Sequence, residues 1–344
     1  MDELTLAATQ GPLPPGLVGV AVSSLLDPEV PEEEKASFLS TLSERRETPE
    51  EIGAFAAAFL ERAIPPHLDR SRIGKPLLDV CGTGGDKLGL LNVSTSAVFV
   101  LAACGVAVVK HGNRSITSSS GGADVLEALG IRIDLPPADF GRCLAEVGAG
   151  FLFAPLYHPA FKAVAPVRAR LGREGKRTIF NLLGPLLNPA RPEFQLIGVF
   201  DPGVGPAFAR ILRQQGREAA WVVHGTTETG LGMDELSNLG PSRIWEMHGE
   251  NPLESGIEPS SLGLAPASTP DLQGGGAAEN AAHLIALLEG RERGPKRDIV
   301  ALNAAAGLVI CGLAEDLSEG LALATEAVDS GRALAVLQRW RNFA

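Results

Sequence analysis

The sequence lacks the marks of several whole classes of protein. Its four cysteines, Cys81, Cys104, Cys143 and Cys311, are dispersed through apolar neighbourhoods with no Cys-x-x-Cys pair. That spacing offers neither a disulfide framework nor a zinc ribbon, and it reads as reduced, buried thiols in a cytoplasmic protein. No apolar run reaches the roughly 18 residues that a bilayer crossing needs, so no membrane span is predicted. The start, Met1-Asp2-Glu3-Leu4, has no basic segment of the kind a secretory leader carries. Positive charge is also scarce: 30 Lys and Arg against 41 Asp and Glu leave a net charge of −11. A nucleic-acid or anionic-membrane partner would need clustered cations on a broad surface, so neither is expected. A small anionic substrate would need local cations or a metal to enter so acidic a chain.

What is present is glycine and proline, 40 and 25 residues in a chain of 344. That suits many tight turns between strands and helices, in a chain long enough for two lobes. The first 65 residues read as helices. Thr48-Pro49-Glu50-Glu51 is a capping-box pattern with proline at the first helical position. Ile52, Phe55, Ala56, Phe59 and Leu60 then make an amphipathic stripe, which Pro65-Pro66 ends. Pro31 and Glu32–Glu34 open a similar helix carrying Phe38 and Leu42.

From Pro76 the pattern changes to alternation. Leu77–Cys81, Val106–Val109, Gly150–Ala154, Leu196–Phe200 and Ala219–His224 read as strands. Ser94–Cys104 and Ala123–Leu129 read as helices between them. This predicts an α/β fold with a mostly parallel central sheet flanked by helices, ligand loops lying at the carboxyl ends of the strands. Residues 158–193 interrupt the alternation with a helix, a basic run from Arg168 to Arg177, and Phe180–Pro189. Residues 251–276, rich in Pro, Ser and Gly, read as an irregular connection. The last quarter is mostly helical.

Three segments carry chemistry. Gly82-Thr83-Gly84-Gly85-Asp86 ends the first strand; it is neither a Walker A loop nor a dinucleotide fingerprint. A tight turn would explain it, but Asn92-Val93-Ser94-Thr95 follows directly before an apolar helix. Ser94 suits the N-cap of that helix, whose N-terminus can also hold a phosphate. Lys110, His111 and Arg114 next gather three potential cations beside Gly112, Asn113 and a hydroxyl-rich run that includes Ser118 and Ser119. A phosphate site fits this cluster, with a hydrogen-bonded structural role for His111 as the alternative. Adjacent acids such as Asp234 and Glu235 usually decorate a surface. Here glycines and apolar residues frame them near a strand end, and two charges about 4 Å apart at a dielectric near 20 repel by roughly 4 kcal/mol. An enclosed pair therefore calls for a counter-ion, and oxygen ligands beside phosphates favour Mg²⁺.

These segments, with His158-Pro159, Arg177-Thr178 through Asn188-Pro189 and Met233–Ser237, resemble the anthranilate phosphoribosyltransferase family in order and spacing over nearly the whole chain. The resemblance implies a helical domain (1–74 with about 158–193) that dimerises, a larger α/β domain (75–157 and 194–344), and a cleft site. It implies transfer of phosphoribosyl from phosphoribosyl pyrophosphate (PRPP) to the anthranilate amine. By position, Gly82, Gly85, Asp86, Asn92, Val93, Ser94, Thr95 and Lys110 would bind PRPP, joined by His111, Gly112, Asn113, Arg114, Ser118 and Ser119. Ser94, Asp234 and Glu235 would hold Mg²⁺. Gly82, Asn113 and Arg168 would meet anthranilate, with His111 and His158 lining its path. Arg168 and Asp86 would take the catalytic roles. The chain departs from the family pattern at Leu90, Ser119 and Gly122 and in the longer Gly172–Arg177 turn. These departures keep open a relative with another aromatic or nucleobase acceptor. The third reading, a non-catalytic relative that binds nucleic acid, conflicts with the acidic charge.

Overall fold

Helices fill the first of two units into which the chain divides in a computed structural model, which describes residues 1–86, 88–115 and 119–343. This unit comprises Met1–Pro65 and Ala154–Pro189. Its longer helices are Asp2–Gln10, Pro15–Leu26, Glu32–Arg45, Pro49–Leu60 and Ala165–Arg173. The capping box forms as the sequence predicts: Thr48 Oγ1 accepts from the Glu51 N–H and Glu51 Oε2 from the Thr48 N–H. Glu51 is buried because its other oxygen is also committed, accepting from the Leu13 N–H and pairing with Arg45. The predicted stripe of Ile52, Phe55, Ala56, Phe59 and Leu60 is buried. Phe59 meets Phe161 edge-on at 5.0 Å, a geometry the ring quadrupoles favour. Lys35 is buried here too, its Nζ donating to the carbonyls of Asp27 and Ala163. Burial lowers its pKa.

The second unit, Pro66–Phe153 with Ala190–Ala344, is built on one sheet. Its strands are β1 (Leu77–Gly82), β2 (Ala107–Gly112), β3 (Ala149–Phe153), β4 (Phe194–Gly198), β5 (Ala219–Thr226), β6 (Gly232–Met233), β7 (Ser242–Glu246) and β8 (Leu253–Ile257). The order is β3-β2-β1-β4-β5-β7-β8, with β6 paired to β5. The β1 to β5 pairings are parallel, as predicted, whereas β6, β7 and β8 add an antiparallel edge. The expected irregular connection over 251–276 is therefore corrected: it contains β8 and two short 3₁₀ turns. Leu253-Glu-Ser-Gly-Ile257 has no apolar alternation because four of its five residues are exposed at the sheet edge.

Alternate strand residues pack into one core. Leu78, Val80, Val108, Leu196 and Val223 join the helices Val93–Ala103 and Pro295–Ile310 on one face. Their neighbours Leu77, Val109, Ile197 and Val222 are buried outside that cluster, on the opposite face, and the Gly205–Gln214 helix packs against β5 and β7. Helices thus flank the sheet. No helix among the described residues is long and apolar enough to cross a membrane.

Candidate active site

β2 follows β1 on one side and β4 flanks it on the other, so the strand order reverses at the β1/β4 boundary. In open α/β sheets that boundary, at the carboxyl ends of the strands, is where ligands bind. The last register pair there is Gly82 opposite Gly198. Both lack a side chain for the same reason. A Cβ on Gly82 would stand 2.7 Å from Asp234 Oδ2, and one on Gly198 would stand 1.5 Å from the Asp234 carbonyl oxygen. The paired glycines open a gap that Asp234 fills, although some 150 residues separate it from the glycine loop in sequence.

Around this gap the predicted segments converge. Asp234 Oδ2 accepts from the Gly84 N–H, and Glu235 Oε1 accepts from the Ser94 N–H at 3.3 Å. Lys110 is buried; its Nζ donates to the Val80 carbonyl at 2.7 Å and to Ser94 Oγ at 3.2 Å. Asp86 lies close enough to raise the pKa of both Asp234 and Glu235. Two sequence expectations are corrected. Lys110, His111 and Gly112 belong to β2 itself, because pairing with β3 continues through Gly112 opposite Phe153. Ser94 is not the N-cap: Asn92 occupies that position without a side-chain cap bond, and Val93, Ser94 and Thr95 lie within the helix.

The other predicted residues are placed as follows. Gly85 packs so tightly that a Cβ would meet the Phe200 ring at 2.3 Å. Asp86 Oδ1 accepts from the Leu88 N–H. Asn113 Oδ1 accepts from the Arg114 N–H, while the Arg114 guanidinium pairs with Glu127 and lies 5.0 Å over the Phe153 ring. Ser119 is exposed, and Ser118 lies outside the described residues. Arg168 and His158 belong to the helical unit. Arg168 sits 4.8 Å over Phe180, and burial lowers its pKa. His158 is buried, stacked on Phe161, with Nε2–H donating to the Leu187 carbonyl at 2.9 Å. Burial lowers its pKa, so the neutral ring is favoured.

Sequence reading passed over two buried residues that shape this region. Asp79, fully buried in β1, accepts from the His111 N–H at 3.3 Å and from Gln195 Nε2 at 3.2 Å. Gln195 in turn accepts from Arg217 Nε at 2.9 Å. Burial brings the Arg217 pKa down to about 10, against the pull of Asp79. The chain Asp79–Gln195–Arg217 thereby anchors the end of β2 from beneath. Asn280, the second residue, tethers Asn92. The Gly274-Gly-Gly276 run that precedes it was the available signal for a close backbone approach.

Burial and the neighbouring Asp86 charge push the Asp234 pKa up to about 7, and burial with the Asp234 charge pushes Glu235 well above the carboxylate range. The folded protein then holds protons that the unfolded chain gives up above about pH 4. This contribution to stability is complete below that pH and is lost as pH rises toward about 7. In urea unfolding without divalent metal, Asp234→Asn is therefore expected to gain stability relative to the parent chain as pH rises from 5 to 8. A pH-independent difference would count against the buried carboxyl pair.

A hard dication fits this donor set. Among the described residues, the three acidic groups Asp86, Asp234 and Glu235 face the buried ammonium of Lys110, which leaves excess negative charge among oxygen donors. Among the described residues no group of three or more His, Cys, Asp or Glu side chains could cage a metal unaided. Mg²⁺ is commonly held in that incomplete way, by one or two carboxylates with waters and substrate phosphates completing the shell.

Strand-end glycine loops, a buried lysine and a carboxylate pair at a sheet's switch point can receive a phosphate-bearing ligand with its metal. Residues 74–334 match the model of the glycosyl transferase family, a/b domain. The class is a glycosyltransferase, specifically a pentosyltransferase. An anthranilate phosphoribosyltransferase of Syntrophomonas wolfei is 44% identical over 93% of this chain and 90% of its own. The crystal structure of the Thermus thermophilus anthranilate phosphoribosyltransferase superposes with a TM-score of 0.89 at 44% identity, covering 100% of this chain and 99% of that one. The Saccharomyces cerevisiae enzyme in complex with PRPP and Mg matches at TM-score 0.82 and 28% identity, over 94% of this chain and 90% of that one. The chain belongs to the anthranilate phosphoribosyltransferase family.

Proposed function

We propose that this chain transfers the phosphoribosyl group of PRPP to the amino group of anthranilate, a step of tryptophan biosynthesis. The observation that carries the reading is the Asp234–Glu235 pair seated on the Gly82/Gly198 gap, beside Lys110 and the start of the Val93–Ala103 helix. In the reaction the ribose C1–O bond to pyrophosphate breaks, the bonding pair leaves with pyrophosphate, and a new C1–N bond forms to the amine, which then releases a proton. The transition state resembles an oxocarbenium ion, so the protein's tasks are to stabilise the leaving diphosphate and to aim the amine. An aniline-like nitrogen carries a free lone pair at neutral pH, and no general base is assigned.

The glycine loop from Gly82 to Asp86 and the helix start at Asn92, Val93, Ser94 and Thr95 would supply N–H and hydroxyl donors to the diphosphate. Lys110 adds the buried positive charge, and His111, Gly112, Asn113, Arg114 and Ser119 line the next strand end. Asp234, Glu235 and Ser94 would hold Mg²⁺, which when bound neutralises charge on the departing pyrophosphate. Ser94 Oγ accepts from Lys110 and keeps a lone pair for that purpose.

Arg168 would pair with the anthranilate carboxylate and orient the amine, and Gly82, Asn113, His111 and His158 are proposed to serve the same acceptor. Arg168→Ala is expected to raise the anthranilate KM by about tenfold or more while changing the PRPP KM less than threefold, the loss of one charge-assisted bond. Steady-state kinetics with each substrate varied decides it, and equal effects on both would remove the acceptor assignment.

Two further features bear on setting and assembly. Leu6, Leu17 and Val20 are exposed on the first two helices of the helical unit, which supports a homodimer formed through them. The four cysteines are free, and Cys143 is fully buried with its pKa pushed up to about 12 by burial, which supports a reducing cytoplasmic setting. The activity is tested by incubating the purified chain with PRPP, Mg²⁺ and anthranilate and following product fluorescence. Turnover that needs all three is expected, and none with the folded chain would overturn the reading.

A further inference from the structure

Asn280 lies in the first turn of the Ala277–Leu288 helix, 188 residues from Asn92, yet its carboxamide is buried against that residue. The Gly275 N–H donates to Asn280 Oδ1 at 2.8 Å. A backbone N–H can only donate, so this contact orients the amide with its oxygen toward Gly275. The Asn280 NH₂ group then faces Asn92 Oδ1 at 2.8 Å and Ser120 Oγ at 2.9 Å. Ser120 Oγ also donates to Asn92 Oδ1, at 3.0 Å.

Asn92 Oδ1 thus receives two inward hydrogen bonds, which turns its NH₂ group the other way. One Nδ2 hydrogen reaches the Ser120 carbonyl at 3.3 Å. The backbone around Asn92 is held as firmly: Leu91 N–H donates to the Leu272 carbonyl, Gly274 N–H to the Gly89 carbonyl, and Leu90 bridges Gln273. The strand of chain leading into Asn280 is therefore laced to the strand of chain leading into Asn92.

We propose that Asn280 is a positioning residue for the sugar-diphosphate donor, acting through Asn92. It locks the Asn92 carboxamide oxygen inward, so that Nδ2 adds a donor to the N–H groups at the start of the Val93–Ala103 helix. A diphosphate accepts hydrogen bonds and donates none at neutral pH, so the orientation of that amide has a definite sign. This inference rests on the PRPP reading of the site and extends it to a residue outside every motif that carried the reading.

Asn280→Asp keeps the shape and replaces the NH₂ donor by an oxygen. Two acceptors would then face each other, and the relief is a flip of Asn92 that points its oxygen at the phosphates. The expected result is a PRPP KM raised about tenfold, with kcat and the anthranilate KM changed less than threefold. Asn280→Ser removes the lock without inverting it and is expected to raise the PRPP KM by about threefold; it also serves if the aspartate variant folds poorly. In an Asn92→Ala background, Asn280→Asp should add less than a factor of about two, because the pathway is already cut. An unchanged PRPP KM in both single variants, or the same penalty with and without Asn92, would overturn the proposal and leave Asn280 a structural residue. Calorimetry of the parent chain with PRPP and Mg²⁺ separates the two levels: no binding there sinks the site reading itself.

Discussion

Asp234→Asn combined with Glu235→Gln is expected to cut Mg²⁺-supported phosphoribosyl transfer by about a thousandfold or more in kcat, with the fold intact. The two parts of that expectation have separate physical causes. The fold survives because the backbone hydrogen bonds these carboxyl groups make are ones in which they accept. Asp234 accepts from the Gly84 N–H and Glu235 from the Ser94 N–H, and an amide oxygen serves both. Burial already raises the cost of ionising both side chains, so neutral replacements relieve the apo protein. Activity is lost because the negative charge that would retain the metal near the leaving diphosphate is gone. Circular dichroism and urea unfolding check the first part, and turnover against Mg²⁺ concentration checks the second. Full activity in the double variant would remove the metal assignment.

Gly198→Ala should be nearly as damaging by a different route. The added Cβ would lie 1.5 Å from the Asp234 carbonyl oxygen and 2.2 Å from its carbon, both backbone atoms. No side-chain rotation relieves that overlap, so the 233–235 segment must move off the sheet. The same segment delivers both acidic side chains, so they move with it. A loss of about 3 kcal/mol in stability is expected, at the upper end of overpacking costs. A fall of at least about a hundredfold in kcat/KM should accompany it, since displacements near 1 Å misalign reacting groups. Gly172→Ala is the matched control: it lies inside a helix and its Cβ would meet nothing within 4 Å, so stability should hold or rise. Equal behaviour of the two variants would show that the glycine gap does not hold Asp234 in place.

Much of this molecule was readable beforehand where local chemistry alone decides. The capping box at Thr48, the stripe from Ile52 to Leu60 and the parallel core strands all depend on residues within a turn or two of one another. The outermost strand of the antiparallel edge was not readable, because β8 is exposed and carries no alternation to detect. The cap assigned to Ser94 failed for a related reason. A serine before an apolar run suits a cap, but here Glu235 accepts from the Ser94 N–H and Ser94 Oγ meets Lys110, which places it inside the helix instead.

By itself the sequence determined the class of chemistry: short strands ending in glycine-rich turns, cations in an acidic chain, and an adjacent acid pair framed by glycines and apolar residues. Periodicity and turn preference are encoded within a few residues, so they survive without a fold. The tertiary structure alone decided that two glycines in register on β1 and β4 would make room for Asp234, and that Asn280 would reach Asn92. Those relations join residues far apart in the chain, and only the packing of strand against strand and helix against loop brings their atoms into contact.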